Sequence, residues 1–255
     1  SKGVFTCKDH FSVSDMKIEN KKIVDLQIIN DNTGAVVYQM RKTKAAASQS
    51  TGKKAETAKK AEARPAEQAR PEAKKGNMTL EQALNIMMVC SANDAAIAVA
   101  EHIGGNVNNF CDLMNAEALR IGATHSHFTN PHGLTADEHR TTAYDLYLIF
   151  NEALKDERFK SIIAQVAYTT NINDANGNIK EINVENTNLF FKGTYSLPGA
   201  LTCVGGKTGT TQAAGSCLII YAIDATSNND YISVVLNAPD RESSYTDTTI
   251  LYTLE

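Results

Sequence analysis

The 255-residue sequence lacks two features that would place it at a membrane. It has no apolar run of the roughly 18 residues that a membrane-spanning helix needs, and no apolar run after Ser1 that resembles a signal peptide. Its five cysteines are too few and too scattered for a disulfide framework, and no two have C-x-x-C spacing. We expect most of them to be small buried side chains, which leaves the compartment open.

Basic residues are scarce outside one segment. Residues 41–75 hold eleven Lys and Arg against four Glu, whereas the rest of the chain carries 14 basic and 25 acidic residues. Nucleic-acid binding needs a concentrated positive face, so we expect no nucleic-acid partner for this acidic body.

Residues 53–77 contain no Val, Ile, Leu, Met, Phe, Tyr or Cys. Ala, Lys and Glu favour helix, but a helix without an apolar face cannot dock on a core. We therefore predict a solvated, linker-like segment here. Elsewhere the chain, which is 42% apolar overall, is able to bury a full-sized core.

The remaining patterns predict an α/β (α+β) chain. β-formers surround a turn in residues 22–40, which predicts a hairpin. A capping box of Thr79 and Gln82 starts the first helix, and helical periodicity continues in further stretches at 93–100, 107–120, 142–154 and 159–167. Strands are predicted at 168–170, 179–184, 201–204, 216–225 and 231–237, with a last helix at 243–254. A sheet built from both chain ends, with a helical insertion, is the simplest architecture.

Two polar motifs carry candidate chemistry. Lys207-Thr208-Gly209, preceded by two glycines and followed by Thr210, puts an ammonium and hydroxyls beside a strand that a ligand can approach, which suits a carboxylate. Ser91-Ala92-Asn93 lies between two predicted helices, where both polar side chains can face a cleft. Taken singly, the first is also compatible with a lysine-containing turn and the second with a helix cap.

Together the two motifs form a more specific pattern. Ser-x-Asn followed by a distant Lys-Thr-Gly is typical of penicillin-binding proteins and β-lactamases. The stretches Thr124 to Leu134 and Arg140 to Leu146 strengthen the likeness, as do Met114-Asn115 and Ser91 to Gly105. From about residue 77 to residue 254 the sequence resembles the penicillin-binding D-alanyl-D-alanine carboxypeptidase family, serine-type enzymes with a β-lactamase/transpeptidase-like fold.

The resemblance implies a single transpeptidase-like domain over residues 1–255. Its antiparallel five-stranded sheet, from about 1–50 and 195–255, would be flanked by helices and joined to a mostly helical subdomain at about 78–165. It also implies an enzyme that removes the terminal D-alanine of peptidoglycan stem peptides through an acyl-serine and that is acylated by β-lactam antibiotics. Such an enzyme needs no cofactor and works outside the cytoplasm, in the bacterial cell envelope or secreted, with peripheral membrane or cell-wall association.

Residue roles follow from the resemblance. Ser91 would relay a proton to the leaving amine and Asn93 would orient the base and the substrate amide. Lys207 would supply positive potential, while Thr208 and Thr210 would hold the terminal carboxylate and Gly209 would let the substrate lie close to the backbone.

The nucleophile requires Ser-x-x-Lys, which occurs twice, as Ser14 with Lys17 and as Ser50 with Lys53. Only the second follows the hairpin, as the family's nucleophile does, so Ser50 is the predicted nucleophile and Lys53 its base. Residues 53–77, which begin at Lys53, have no large apolar side chain that could bury this lysine. A second hypothesis is therefore a catalytically impaired homologue that binds wall peptides.

Two other readings concern the loop before residue 142. A β-lactamase would need a base for the deacylating water, and Glu138 is the one carboxylate in a suitable loop. His125, His127 and His132 raise a metal site, but they lack a Cys or carboxylate at ligand spacing, so no metal is expected.

Overall fold

The computed structural model describes residues 11–19, 22–30, 36–41, 78–174 and 176–253. The strands are β1 (Phe11–Glu19), β2 (Lys22–Asn30), β3 (Val36–Arg41), β4 (Ala167–Asn173), β5 (Ile179–Glu185), β6 (Leu201–Thr211), β7 (Gly215–Asp224) and β8 (Asp230–Ala238). The helices are α1 (Leu80–Cys90), α2 (Asn93–Gly104), α3 (Val107–Arg120), α4 (Ala143–Ala153), α5 (Glu157–Ile163) and α6 (Arg241–Leu251).

The main sheet is antiparallel and joins the two ends of the chain. Its strand order is β1-β2-β3-β8-β7-β6, and the join is made where Val36 of β3 pairs with Leu236 of β8. The predicted hairpin is present, since Ile28 and Ile29 of β2 pair with Val37 and Val36 of β3. Strand β6 lies at one edge, so one side of its backbone pairs with no strand among the described residues.

Helices cover both faces of this sheet. Successive side chains of a strand point to opposite faces, and β7 follows that rule. Leu218, Ile220 and Ala222 pack with Tyr245 and Tyr252 at the α6 face. Ile219 and Tyr221 instead pack with a cluster from α4, α5 and β8 on the other face, which includes Phe150, Leu154, Ile163 and Val234. The sheet is therefore the middle layer and β6 is held rigidly at its margin.

One detail of the expected fold needs correction. The family resemblance implied five strands in the main sheet, and the sheet has six. The strand that no sequence pattern predicted is β1, which pairs with β2 from Phe11 to Glu19. Its register shifts at Val13/Asp15 and at Lys17/Ile18, and such irregularities break the two-residue alternation by which a strand is recognised.

The helical part is fastened to a separate two-stranded sheet, β4 with β5. The Gln82 amide closes the predicted capping box at Thr79 and also donates to Thr170 Oγ1 (2.7 Å) and to the Asn171 carbonyl (2.9 Å). Helix α1 thus begins at a fixed point, which determines where its other end reaches the edge of the main sheet.

Candidate active site

Ser91 sits at the junction of α1 and α2 in an unusual backbone conformation. It is the C-cap of α1, with φ 61° and ψ 39°, in the left-handed region that non-glycine residues seldom adopt. Helix α2 begins two residues later, and its N-cap, Ala92, offers no side-chain acceptor. A residue held in this region costs on the order of 1 kcal/mol, and such residues concentrate at functional sites.

Lys207 approaches Ser91 from the opposite side. It lies on β6 directly after Gly205 and Gly206, and its ammonium donates to Ser91 Oγ and to the Thr208 carbonyl (2.8 Å). Burial is the main cause that lowers the pKa of Lys207 to about 8; the nearby Cys90 thiol acts in the opposite direction. The contact brings the Ser-x-Asn and Lys-Thr-Gly motifs together.

Two residues that sequence reasoning missed complete this wall. Thr187 and Thr208 share a hydroxyl–hydroxyl hydrogen bond of 2.6 Å, and Arg241 donates to the Thr187 carbonyl. Arg241 opens α6 and lines the same cleft as Lys207. No motif marks either position, because their relation to the site depends on how the β5–β6 connection and α6 pack at the sheet edge.

Four more of the predicted site residues line the same cleft: Asn93, Thr208, Gly209 and Thr210. Asn93, the first residue of α2, is exposed there, and Gly209 and Thr210 are exposed on β6. The cleft has a volume of about 1170 Å³ and carries an apolar lining that includes Met88, Leu146, Phe150, Phe159, Ile219 and Val234. This volume exceeds what small-molecule sites commonly need, so it has room for the end of a peptide.

The loop between α3 and α4 forms a third wall. Asn115 holds it by accepting from the Phe128 N–H (2.7 Å) and donating to the Phe128 carbonyl (2.8 Å). Buried Asp145 accepts from the His125 N–H and from Ser126 Oγ, both at 2.8 Å. At the outer rim Thr135 donates to Thr211 at the end of β6 (3.1 Å), so the loop contacts the strand across the cleft.

Two histidine side chains of this loop contact backbone atoms of the same loop. His127 Nδ1 lies 2.9 Å from the Glu138 carbonyl, and His132 Nδ1 accepts from the Leu134 N–H. Exposed His125 lies beside Asp145, with 4.0 Å between Nδ1 and Oδ1. Among the described residues, no group of three or more His, Cys, Asp and Glu side chains could hold a metal ion.

Comparison with protein families decides the assignment. A family model described as D-alanyl-D-alanine carboxypeptidase matches residues 16–240 of the chain. The chain belongs to this family. The antiparallel sheet flanked by helices agrees with the fold that the resemblance implied.

Individual relatives agree with the family. The chain is 36% identical over 157 residues to the D-alanyl-D-alanine carboxypeptidase DacA of Haemophilus influenzae, which covers 60% of this chain and 35% of that protein. It is 33% identical over 145 residues to the D-alanyl-D-alanine carboxypeptidase DacF of Bacillus subtilis. That match covers 57% of this chain and 35% of DacF. The chain therefore spans about a third of the length of these curated relatives.

Solved structures give the same picture. A D-alanyl-D-alanine carboxypeptidase from Mycobacterium tuberculosis superposes with a TM-score of 0.59 and 29% identity, covering 69% of this chain and 63% of that chain. The S96A mutant of a Streptomyces K15 DD-transpeptidase superposes with a TM-score of 0.63 and 25% identity. This match covers 70% of this chain and 68% of that chain.

The predicted nucleophile pair, Ser50 and Lys53, lies outside the described residues. The rival pair does not: Ser14 and Lys17 belong to β1, a strand, whereas the family's motif requires the turn of a helix. The β-lactamase reading depended on Glu138, whose exposed carboxylate pairs with Arg140 Nη1 at 2.5 Å. Glu138 is not among the described residues that line the cleft, so this geometry does not favour that reading.

Among the residues that the structure describes, none of the helices has both the length and the apolar character required to cross a membrane.

Proposed function

We propose that the chain is a serine-type D-Ala-D-Ala carboxypeptidase that trims the terminal D-alanine of peptidoglycan stem peptides and is acylated by penicillins. The observation that carries the proposal is the contact between Lys207 and Ser91, which joins the two family motifs in one cleft. Such an activity belongs outside the cytoplasm, in the bacterial envelope or secreted.

Carboxylate recognition is the part that the described residues support most directly. Lys207 is mostly protonated at pH 7, by about ten to one for a pKa of about 8. Arg241 adds a second cation to the same cleft, and the hydroxyls of Thr208 and Thr210 add donors. A lysine and hydroxyl donors on one edge strand, with an arginine at the start of α6, suit the terminal carboxylate of a peptide. Gly209, without a side chain, lets that peptide lie against β6.

The acyl-transfer step needs a nucleophile, for which the sequence offers Ser50 with Lys53 as base. Ser50 Oγ would attack the carbonyl between the two D-alanines, and its proton would pass to Lys53. Ser91, with Asn93 orienting the substrate amide and Lys53, would deliver a proton to the departing D-alanine amine. Backbone N–H groups of Ser50 and Thr210 would stabilise the oxyanion, where one donor contributes about 3 kcal/mol.

A matched pair of serines tests this mechanism. The full chain is expected to release D-alanine from a peptide ending in D-Ala-D-Ala and to form a stable adduct with a fluorescent penicillin. Ser50→Ala should lose both activities, whereas Ser48→Ala, two residues away, should retain them. Absence of D-alanine release and of any adduct in the unaltered chain would refute the proposal.

A second candidate function is supported by residues 53–77, which contain no large apolar side chain. In the family the nucleophile's lysine needs a dry setting to lower its pKa, and this composition does not supply one. The alternative is a protein that binds wall peptides in the same cleft without turnover. It predicts peptide binding by calorimetry, no D-alanine release, and no change in either property on Ser50→Ala.

A further inference from the structure

The cleft contains a serine and a lysine in contact, independently of residues 50 and 53. Lys207 Nζ reaches Ser91 Oγ, and the Thr208 carbonyl holds the amine in place. Among the described residues that line the cleft, Lys207 is the only lysine. A serine hydroxyl in contact with a largely buried amine is the arrangement that a nucleophile and its general base require.

The setting of Ser91 adds two observations. Its left-handed backbone is a strained conformation for a serine, and the residue faces the cleft at the tip of an interhelical junction.

We propose that Ser91 is itself a nucleophile, with Lys207 as its general base, and that it accepts acyl or phosphonyl groups from small activated reagents. This activity goes beyond the proposed carboxypeptidase function, because it requires neither Ser50 nor Lys53. It adds a reactive serine at the Ser-x-Asn motif to the nucleophile proposed at position 50.

The reaction with an alkyl fluorophosphonate illustrates the step. Ser91 Oγ attacks phosphorus, a P–O bond forms, the P–F bond breaks and fluoride leaves. The hydroxyl proton passes to the neutral amine of Lys207, which becomes an ammonium. Only the neutral amine accepts this proton, and the pKa of about 8 that burial gives Lys207 makes that form abundant in mildly alkaline solution.

The test uses the full-length Ser50→Ala chain and an alkyl fluorophosphonate. Trypsin cuts after Lys75 and Arg120, and Ser91 is the only serine in the resulting peptide of residues 76–120. We expect the phosphonyl adduct on this peptide, and we expect Ser91→Ala in the same background to remove it. Alkylation of Cys90 and Cys111 after denaturation shows that neither thiol carries the adduct.

Variants of the base separate proton abstraction from positive charge. Lys207→Met and Lys207→Arg should each slow labelling of Ser91 at least about a hundredfold, because neither side chain accepts a proton near pH 8. Lys192→Met is the matched control, since that exposed lysine pairs with Glu185 away from the cleft, and it should label at the original rate. The labelling rate of the parent should rise with pH up to about 8 and then level off.

Two results would overturn the proposal: no adduct on residues 76–120 in the Ser50→Ala chain, or an adduct there that forms as fast in Lys207→Arg. Neither result bears on the carboxypeptidase proposal, which is tested by D-alanine release from the chain with Ser50 intact. Conversely, if the chain with Ser50 intact released no D-alanine but Ser91 was labelled in the Ser50→Ala chain, only the carboxypeptidase proposal would be refuted.

Discussion

Lys207 and Ser91, separated by 116 residues in the sequence, share a hydrogen bond across the cleft between a β-strand and an interhelical junction. Both residues are in unfavourable environments: Ser91 has a left-handed backbone, and the Lys207 ammonium is largely buried. The contact gives the ammonium a partner and aims the hydroxyl at the cleft. Its energetics lead to the following predictions.

The first prediction concerns stability. The pKa of Lys207 falls from 10.5 to about 8 on folding, so between these values the unfolded chain binds more protons than the folded one. Burying the ammonium lowers the free energy of unfolding below pH 8. That free energy therefore rises as the pH increases from about 8 to 10.5. Lys207→Met lacks this titration, so its free energy of unfolding relative to the parent should fall by about 2–3 kcal/mol between pH 7 and pH 10.

Urea unfolding of both proteins at the two pH values measures this difference, and other titrating groups cancel in it. Lys192→Met, at an exposed position, should show no such change with pH. If the difference in unfolding free energy between Lys207→Met and the parent were also independent of pH, folding would not lower the pKa of Lys207.

A second prediction concerns ligand affinity. If Lys207 binds a terminal carboxylate as an ammonium, its deprotonation above pH 8 should weaken binding, by at most about tenfold per pH unit. Calorimetry with Ser50→Ala and a peptide ending in D-Ala-D-Ala should detect the loss. In the Ser50→Ala, Lys207→Arg double variant, affinity should stay constant to pH 10. A peptide with an amidated end is the control, and equal pH dependence for it would contradict carboxylate recognition.

Substitution by alanine should have different effects at two glycines of β6. A Cβ on Gly206 would clash with the Ile219 carbonyl oxygen, so Gly206→Ala must displace backbone and should destabilise the protein by about 1–3 kcal/mol or more. A Cβ on Gly209 would lie 3.9 Å from Cys217 Cβ, an ordinary contact on a strand that lines the cleft. Gly209→Ala should leave the melting temperature nearly unchanged but reduce the rate of penicillin acylation. A fall in melting temperature for both would show that the strand, not the ligand, needs the space.

Asn115 supports the loop wall from α3. Because its amide makes two hydrogen bonds to the Phe128 backbone, Asn115→Ala leaves a donor and an acceptor without their partner and should cost about 1–3 kcal/mol of unfolding free energy. Asn109 on the same helix is exposed and makes one 3.2 Å bond from its side chain, so Asn109→Ala should cost less than about 0.5 kcal/mol. Equal losses in urea unfolding would argue against this role for Asn115.

Much of the local structure was predictable because its causes are local. The capping box of Thr79 and Gln82, the apolar periodicity of α1 and α4, and the β-formers of β7 and β8 act within one or two turns or one strand. Strand β1 escaped prediction because its register is set by pairing with β2, not by a regular alternation of its own.

The sequence by itself determined which chemistry was available: a Ser-x-Asn, a distant Lys-Thr-Gly, and helices and strands at spacings that the residues enforce locally. Only the tertiary structure decided that Ser91 meets Lys207, that burial lowers the lysine's pKa, and that Thr187 and Arg241 join the same wall. These relations depend on the strand order of the sheet and on helix packing at its edge. Such long-range contacts follow from the burial of both sheet faces as a whole, and no local pattern encodes them.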